Sequence, residues 1–69
     1  MRISARNQIA GKITAVTKGA TTGHVKVDVG AGIVITASIT NESIDDLGLA
    51  VGKSVTAVIK ASDVMIAIE

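Results

Sequence analysis

HVKVDVGAGIVITASIT, residues 24–40, is the stretch that most clearly indicates a fold class. In its first half Val25, Val27 and Val29 alternate with polar residues, and in its second half every second residue from 33 to 39 is apolar. Alternation with a period of two is typical of a β-strand that buries one face. Gly30 and Gly32 supply the backbone freedom that a tight turn needs, so the stretch predicts a β-hairpin.

The same period continues before the hairpin. Ile9, Ile13 and Ala15 fall on one side of an extended chain and Val16 on the other, which predicts a first strand. Residues 18–23 contain two glycines and two threonines, so they are predicted to form a loop.

After the hairpin, residues 40–48 predict a short helix. Thr40 suits the N-cap, Gly48 suits the position after the last turn, and Ile44 with Leu47 would form a small apolar face. Residues 54–60 and 64–68 then alternate again. The sequence therefore predicts an all-β fold, a five-stranded OB-like barrel with one short helix between strands 3 and 4.

Composition limits what this chain can do. Its 69 residues predict a single domain over 1–69, yet 48% of them are hydrophobic, which is more than one small core can bury. We therefore expect a homo-oligomer that hides the excess between subunits. No cysteine and a single histidine exclude a thiolate or multi-histidine metal site within the chain, and no catalytic motif indicates an enzyme, so no catalytic residue is predicted.

The charge balance and the absence of targeting signals narrow the class further. A net charge of +1 and a complete lack of aromatic residues argue against nucleic-acid binding, which relies on basic fields and stacking. Neither a secretion signal nor a membrane-spanning run is present, so we expect a cytoplasmic protein without membrane association.

Ser4-Ala5-Arg6-Asn7-Gln8 is the densest polar stretch. In an extended conformation Ser4, Arg6 and Gln8 share one face, and arginine and serine can both donate hydrogen bonds to an anion. Taken alone, the stretch also fits a loose, solvated N-terminal arm.

Other donors stand at the predicted turn Lys60-Ala61-Ser62 and at the helix start, where free N–H groups favour an anion near Thr40 and Ser43. Each has an ordinary structural interpretation too, Thr40 as a helix cap and Lys60 as a solvated strand end.

Four motifs together resemble the molbindins, the single-domain proteins of the Mop family. They are SARNQ at 4–8, TNESI at 40–44, LGL at 47–49 with Gly52-Lys53, and VIKASDVMI at 58–66. The resemblance covers essentially the whole chain. It implies an OB-like domain that exchanges its N-terminal strand between subunits and assembles as a hexamer, a trimer of dimers, with oxyanion sites between subunits.

The resemblance also implies which residues bind the anion. In the family these positions supply side-chain donors and one backbone contact, and here they are Ser4, Arg6, Thr40, Ser43, Lys60, Ala61 (through its backbone) and Ser62. A second class of site involves the first loop, where Thr21, Thr22 and His24 are the candidates. This loop departs from the valine-asparagine pattern common in the family.

The implied function is cytoplasmic binding of molybdate, with tungstate as its analogue, for molybdenum storage and homeostasis. The molybdenum would be held as an intact oxyanion, with no protein ligand to the metal. A set of donors without acceptors suits a tetrahedral dianion that is fully ionised at neutral pH. The alternatives are an anion-sensing assembly module that docks on another protein and, less favoured, an OB-type nucleic-acid binder.

Overall fold

A computed structural model describes all 69 residues and contains the predicted hairpin. The elements in chain order are β1 (Asn7–Lys18), β2 (Thr22–Gly30), β3 (Ile33–Thr40), α1 (Asn41–Asp46), β4 (Ser54–Ile59) and a 3₁₀ turn (Ala61–Asp63). The four strands form one antiparallel sheet in the order β3-β2-β1-β4. The single α-helix is too short to span a membrane.

The hairpin turn contains a non-glycine residue in the left-handed region. Ala31 has φ of 54° and Gly32 has φ of 75°, and two consecutive positive values are what a type I′ turn requires. Asp28 Oδ1 accepts a hydrogen bond from Gly30 N–H at 2.8 Å, which fixes the approach to the turn. Because alanine has a Cβ, Ala31 makes this turn at a cost of about 1–2 kcal/mol.

The core is small and lies on the inner face of the sheet. Four apolar side chains are fully buried, with exposed fractions of 1–4%: Ile13, Val25, Val27 and Ile44. The predicted inward side of β2 is confirmed, because Val29 also packs against this cluster. Burying such a side chain contributes about 1.5–3 kcal/mol, so the core of one chain stabilises it only modestly.

A β-bulge changes the predicted alternation in β1. Ile13 pairs with Val27 but Ala15 pairs with Lys26, so Thr14 is an extra residue in the ladder. After the bulge Val16 pairs with Val25 and packs against the core, although the sequence alternation placed it on the side opposite Ile13. The prediction is wrong here because one inserted residue reverses which face each later side chain occupies.

The apolar face predicted for the helix is half correct. Ile44 is 2% exposed, but Leu47 is 61% exposed, because α1 ends at Asp46 and Leu47 is the C-cap. Lys53 Nζ donates to Leu47 O at 2.7 Å and to Gly48 O at 3.2 Å, which satisfies carbonyls at the helix end.

The predicted fifth strand does not form in the single chain, and the five-stranded barrel is therefore wrong for one chain alone. Residues 64–69 belong to no strand, and Met65, Ile66 and Ile68 are 92%, 86% and 94% exposed. A strand needs a neighbour to satisfy its backbone groups, and neither sheet edge, β3 or β4, pairs with this segment within the chain. We call residues 64–69 the unpaired tail.

The sheet edges β3 and β4 flank an apolar groove of about 590 Å³. Its lining is mostly aliphatic and includes Ile35, Ala37, Ile39, Leu47, Leu49, Val55, Ala57 and Ile59. The N-terminal strand, which we expected to be exchanged, pairs with β2 and β4 of its own chain. The segment without a partner is therefore at the other end of the chain.

Candidate functional site

The N-terminal arm and the turn after β4 form one cleft of about 570 Å³, here called the basic cleft. Its lining comprises Ile3, Ser4, Ala5, Arg6, Val58, Lys60, Ala61, Ser62 and Asp63. Asn7 at the start of β1 pairs with Ile59 at the end of β4, so the residues just outside this pair meet. The structure thus brings together five of the seven predicted site residues.

Two side chains hold the arm in place. Asn7 Nδ2 donates to Ile59 O at 3.2 Å, and Gln8 Nε2 donates to Ala5 O at 3.1 Å. The strand begins at Asn7, so Ser4 and Arg6 lie in the segment before it, which these two hydrogen bonds hold in place. Gln8, which the alternation grouped with Ser4 and Arg6, is used to fix the backbone of that arm.

The other wall of the basic cleft is a single 3₁₀ turn. Asp63 N–H donates to Lys60 O at 2.9 Å, and Val64 N–H donates to Ala61 O at 3.2 Å. These two bonds close the turn without using the N–H groups of Ala61 and Ser62. Backbone donors at this position are suited to an anion.

The basic cleft has a net positive charge. Arg6 and Lys60 form no salt bridge, since the one ion pair in the chain joins Lys18 to Asp45. Asp63 also lines the cleft, and the sequence reasoning missed it although it directly follows Ser62. Two cations and one carboxylate leave one positive charge in excess.

Thr40 and Ser43 form a hydroxyl pair at the start of α1. Thr40 Oγ1 accepts from Ser43 N–H at 3.0 Å, so it is the predicted N-cap, and its own O–H donates to Ser43 Oγ at 2.8 Å. The Ser43 hydroxyl hydrogen remains available for an acceptor outside the chain.

This pair does not line the basic cleft. Thr40 pairs with Thr22, and Gly23 pairs with Lys18 at the end of β1 opposite Arg6. We call Thr22, Thr40 and Ser43 the hydroxyl edge. In one chain the hydroxyl edge and the basic cleft flank opposite ends of a twelve-residue strand.

The candidates for a second site lie beside the hydroxyl edge. Thr21, Thr22 and His24 line a shallow depression formed by residues 17–24. Asn41, the first residue of α1, donates its N–H to Thr21 O at 2.9 Å. The sequence reasoning assigned Thr40 and Ser43 to the first site and the residues of the first loop to a second site. In the structure these two groups of candidates are neighbours. No group of three or more histidine, cysteine, aspartate or glutamate side chains is placed to hold a metal ion.

Comparison with known proteins identifies the family. The TOBE domain family matches residues 3–66. Molybdenum-pterin-binding protein 3 of Clostridium pasteurianum is 50% identical over 66 residues, covering 96% of this chain and 97% of that protein.

Solved structures agree with this assignment. A molybdate-binding protein from Sporomusa ovata superposes with a TM-score of 0.92 at 32% identity, covering 99% of this chain and 100% of that one. The cytoplasmic molybdate-binding protein ModG with molybdate bound has a TM-score of 0.90 at 40% identity, covering 94% of this chain and 46% of the ModG chain. The chain therefore belongs to the TOBE-domain family, and within it to the molbindins of the Mop type.

Proposed function

We propose that this chain binds molybdate in the basic cleft and serves as a cytoplasmic store that buffers molybdenum. The observation that carries the proposal is the meeting of Arg6 and Lys60 with Ser4 and Ser62 around one cleft, with neither cation engaged in a salt bridge. Relatives of the same length and fold are named for molybdenum-pterin or molybdate binding. The function is binding, and no step of chemistry is performed on the ion.

The donors match the chemistry of this ligand. Molybdate is a tetrahedral dianion, and hydrogen bonds from charged donors to an anion are about twice as strong as neutral ones. Arg6 and Lys60 supply the charged donors, and serine hydroxyls can rotate toward the remaining oxygens. Tungstate, with the same charge and nearly the same size, should bind as well, whereas sulfate is smaller and must be separated by size.

Titration calorimetry with molybdate, tungstate, sulfate and phosphate tests this function. We expect saturable heat with molybdate and tungstate, and affinities for sulfate and phosphate at least about tenfold weaker, a difference of about 1.4 kcal/mol. Absence of heat with molybdate and tungstate contradicts the proposal. Equal binding of sulfate or phosphate would show a general anion site instead.

We further propose that the complete site lies between subunits of a homo-oligomer, with a hexamer as the expected assembly. Two observations support this. The unpaired tail is apolar and alternates, and each chain carries an apolar groove between two sheet edges that lacks a strand. The tail also begins directly after Asp63 in the basic cleft, so a tail docked on another copy brings that cleft to an interface.

The distance between the hydroxyl edge and the basic cleft within one chain also supports a site between subunits. The hydroxyl edge flanks the end of β1 opposite the basic cleft, so Thr40 and Ser43 would contribute to an anion site at the cleft from a second copy. Such a site would combine the charged side chains of Arg6 and Lys60 from one chain with the hydrogen-bonded hydroxyls of another.

Native mass spectrometry of tail variants tests the assembly. Ile66→Asp with Ile68→Asp places two charges on the tail, and we expect the oligomer to dissociate, because charged groups are costly to bury. Val51→Asp is the control, since Val51 is 67% exposed and lies outside tail and groove, and it should remain assembled. An intact oligomer in the tail variant would instead favour exchange of the N-terminal strand.

The same measurement separates the store from the alternative of an anion-sensing assembly module. A store should have the same subunit number with and without molybdate. A module that uses the anion to assemble should gain subunits when molybdate is added.

A further inference from the structure

We infer that Asn41 is a positioning residue, which fixes the hydroxyl edge to the first loop so that the Ser43 hydroxyl is held in one orientation for the anion. The inference rests on the proposed function, because it assigns Asn41 a part in molybdate binding without contact to the ion. It follows from the hydrogen bonds and the packing around this one side chain.

Asn41 joins two segments that are distant in sequence. Its side chain donates from Nδ2 to Gly19 O at 2.9 Å, and its backbone N–H donates to Thr21 O at 2.9 Å. The loop is closed on itself by Gly19 N–H donating to Thr22 O at 2.8 Å. A single residue therefore ties the loop to the first turn of α1 at two points.

The orientation of the amide is determined by its surroundings. A flipped Asn41 amide would direct Oδ1 at Gly19 O, and two acceptors would then face each other. In the orientation seen here Oδ1 is buried without a hydrogen-bond partner, on the side of Gly23. An unpaired buried acceptor costs free energy. The hydrogen bond from Asn41 Nδ2 to Gly19 O offsets that cost and holds the amide in this orientation.

Gly23 provides the space for this arrangement. A Cβ at Gly23 would lie 2.7 Å from Ile44 Cδ1, 2.8 Å from Thr17 O and 3.2 Å from Asn41 Oδ1. The loop, the helix and the amide are thus in close contact around a residue without a side chain. The Lys18–Asp45 ion pair adds a further link between β1 and α1 on the exposed side.

The consequence for the site is geometric. Asn41 follows Thr40 directly, and Thr40 both caps α1 and donates to Ser43 Oγ. An α1 that shifts relative to the loop moves Thr40 and Ser43 together, away from their place beside Thr22. Holding Asn41 in place therefore keeps the Ser43 donor aligned before the ligand arrives, which lowers the ordering cost of binding.

The test compares Asn41→Ala with Ile44→Val by molybdate calorimetry and chemical denaturation. Asn41→Ala removes the donor to Gly19 O without a charge change, and we expect affinity about fivefold lower, as for loss of one neutral hydrogen bond. Ile44→Val trims the core from the same helix and lowers stability without touching the hydroxyls, so its affinity should stay within about twofold.

A double-mutant cycle with Ser43→Ala supplies the readout that a merely structural role would not change. If Asn41 acts through Ser43, Asn41→Ala should cause no further loss of affinity in the Ser43→Ala background. An equal loss in both backgrounds, an equal loss in Ile44→Val, or unchanged affinity in Asn41→Ala overturns the positioning role. A wild-type chain that gives no heat with molybdate overturns the proposed function along with it.

Discussion

The basic cleft and the hydroxyl edge offer the same kind of group, a hydrogen-bond donor, but they hold it in different ways. In the basic cleft Arg6 and Lys60 carry full charges on long side chains that form no salt bridge. At the hydroxyl edge the donors are neutral, and Thr40 and Ser43 are fixed by hydrogen bonds of 2.8 and 3.0 Å. The charged side chains of the basic cleft attract an anion, and the hydroxyl edge presents donors whose positions are fixed by hydrogen bonds. An anion site composed of both would owe its affinity mainly to the first and its selectivity mainly to the second.

The largest expected effect comes from removing a charge in the basic cleft. Arg6→Ala should lower molybdate affinity about ten- to hundredfold, since a hydrogen bond to a charged group contributes about 1.5–3 kcal/mol. The free energy of unfolding should barely change, because Arg6 is exposed and forms no ion pair. Calorimetry and urea denaturation measure the two quantities.

Arg2→Ala is the matched control, because Arg2 is an exposed arginine of the same arm that does not line the basic cleft. If Arg2→Ala reduces affinity as much as Arg6→Ala does, the attraction is a general property of the arm and the cleft is not the site.

A smaller effect is expected at the hydroxyl edge. Ser43→Ala should lower molybdate affinity about two- to tenfold, the usual range for one neutral hydrogen bond. It should also narrow the preference for molybdate over sulfate, because Ser43 is the fixed donor. The control is Ser54→Ala, an exposed serine at the start of β4. A loss at Ser43 as large as that at Arg6 would remove the distinction between the two regions.

The smallest effect should come from the hairpin turn, which belongs to neither region. Ala31→Gly relieves the left-handed conformation of a non-glycine residue, and we expect stability to rise by about 0.5–1 kcal/mol. Molybdate affinity should be unchanged. Thermal denaturation and calorimetry of this variant show whether stability alone alters binding, and a change in affinity would weaken the interpretation of the other two variants.

Sequence reasoning succeeded where local pattern and local structure coincide. The alternation of Val25, Val27 and Val29 predicted β2 and its buried face, and Thr40 was predicted as a helix cap. It failed where one residue changes the phase, as at Thr14, because alternation alone does not reveal a bulge. The prediction of a fifth strand failed for another reason. An apolar alternating segment indicates strand propensity but does not specify which strand it pairs with.

The prediction of the site also succeeded where it depended on local sequence and failed where it depended on distant contacts. The cations and serines of the basic cleft were predicted as a group, and they meet because their motifs flank paired strand ends. Asp63 and Asn41 were missed as functional candidates. Asp63 had a signal, its place in the turn after Ser62, but the role of Asn41 depends on a contact with Gly19, 22 positions earlier. No spacing rule in the sequence connects those two residues.

The bulge at Thr14 has a consequence for how the gene of such a protein can change in length. Deleting the one codon for Thr14 would leave Val16 two positions after Ile13, so the ladder would become regular and Val16 would stay on the core side. Deleting one codon at a regular position of β1 would instead turn the side chains on one side of the deletion to the opposite face. Among natural variants, a loss of one residue from β1 should therefore occur at the bulge.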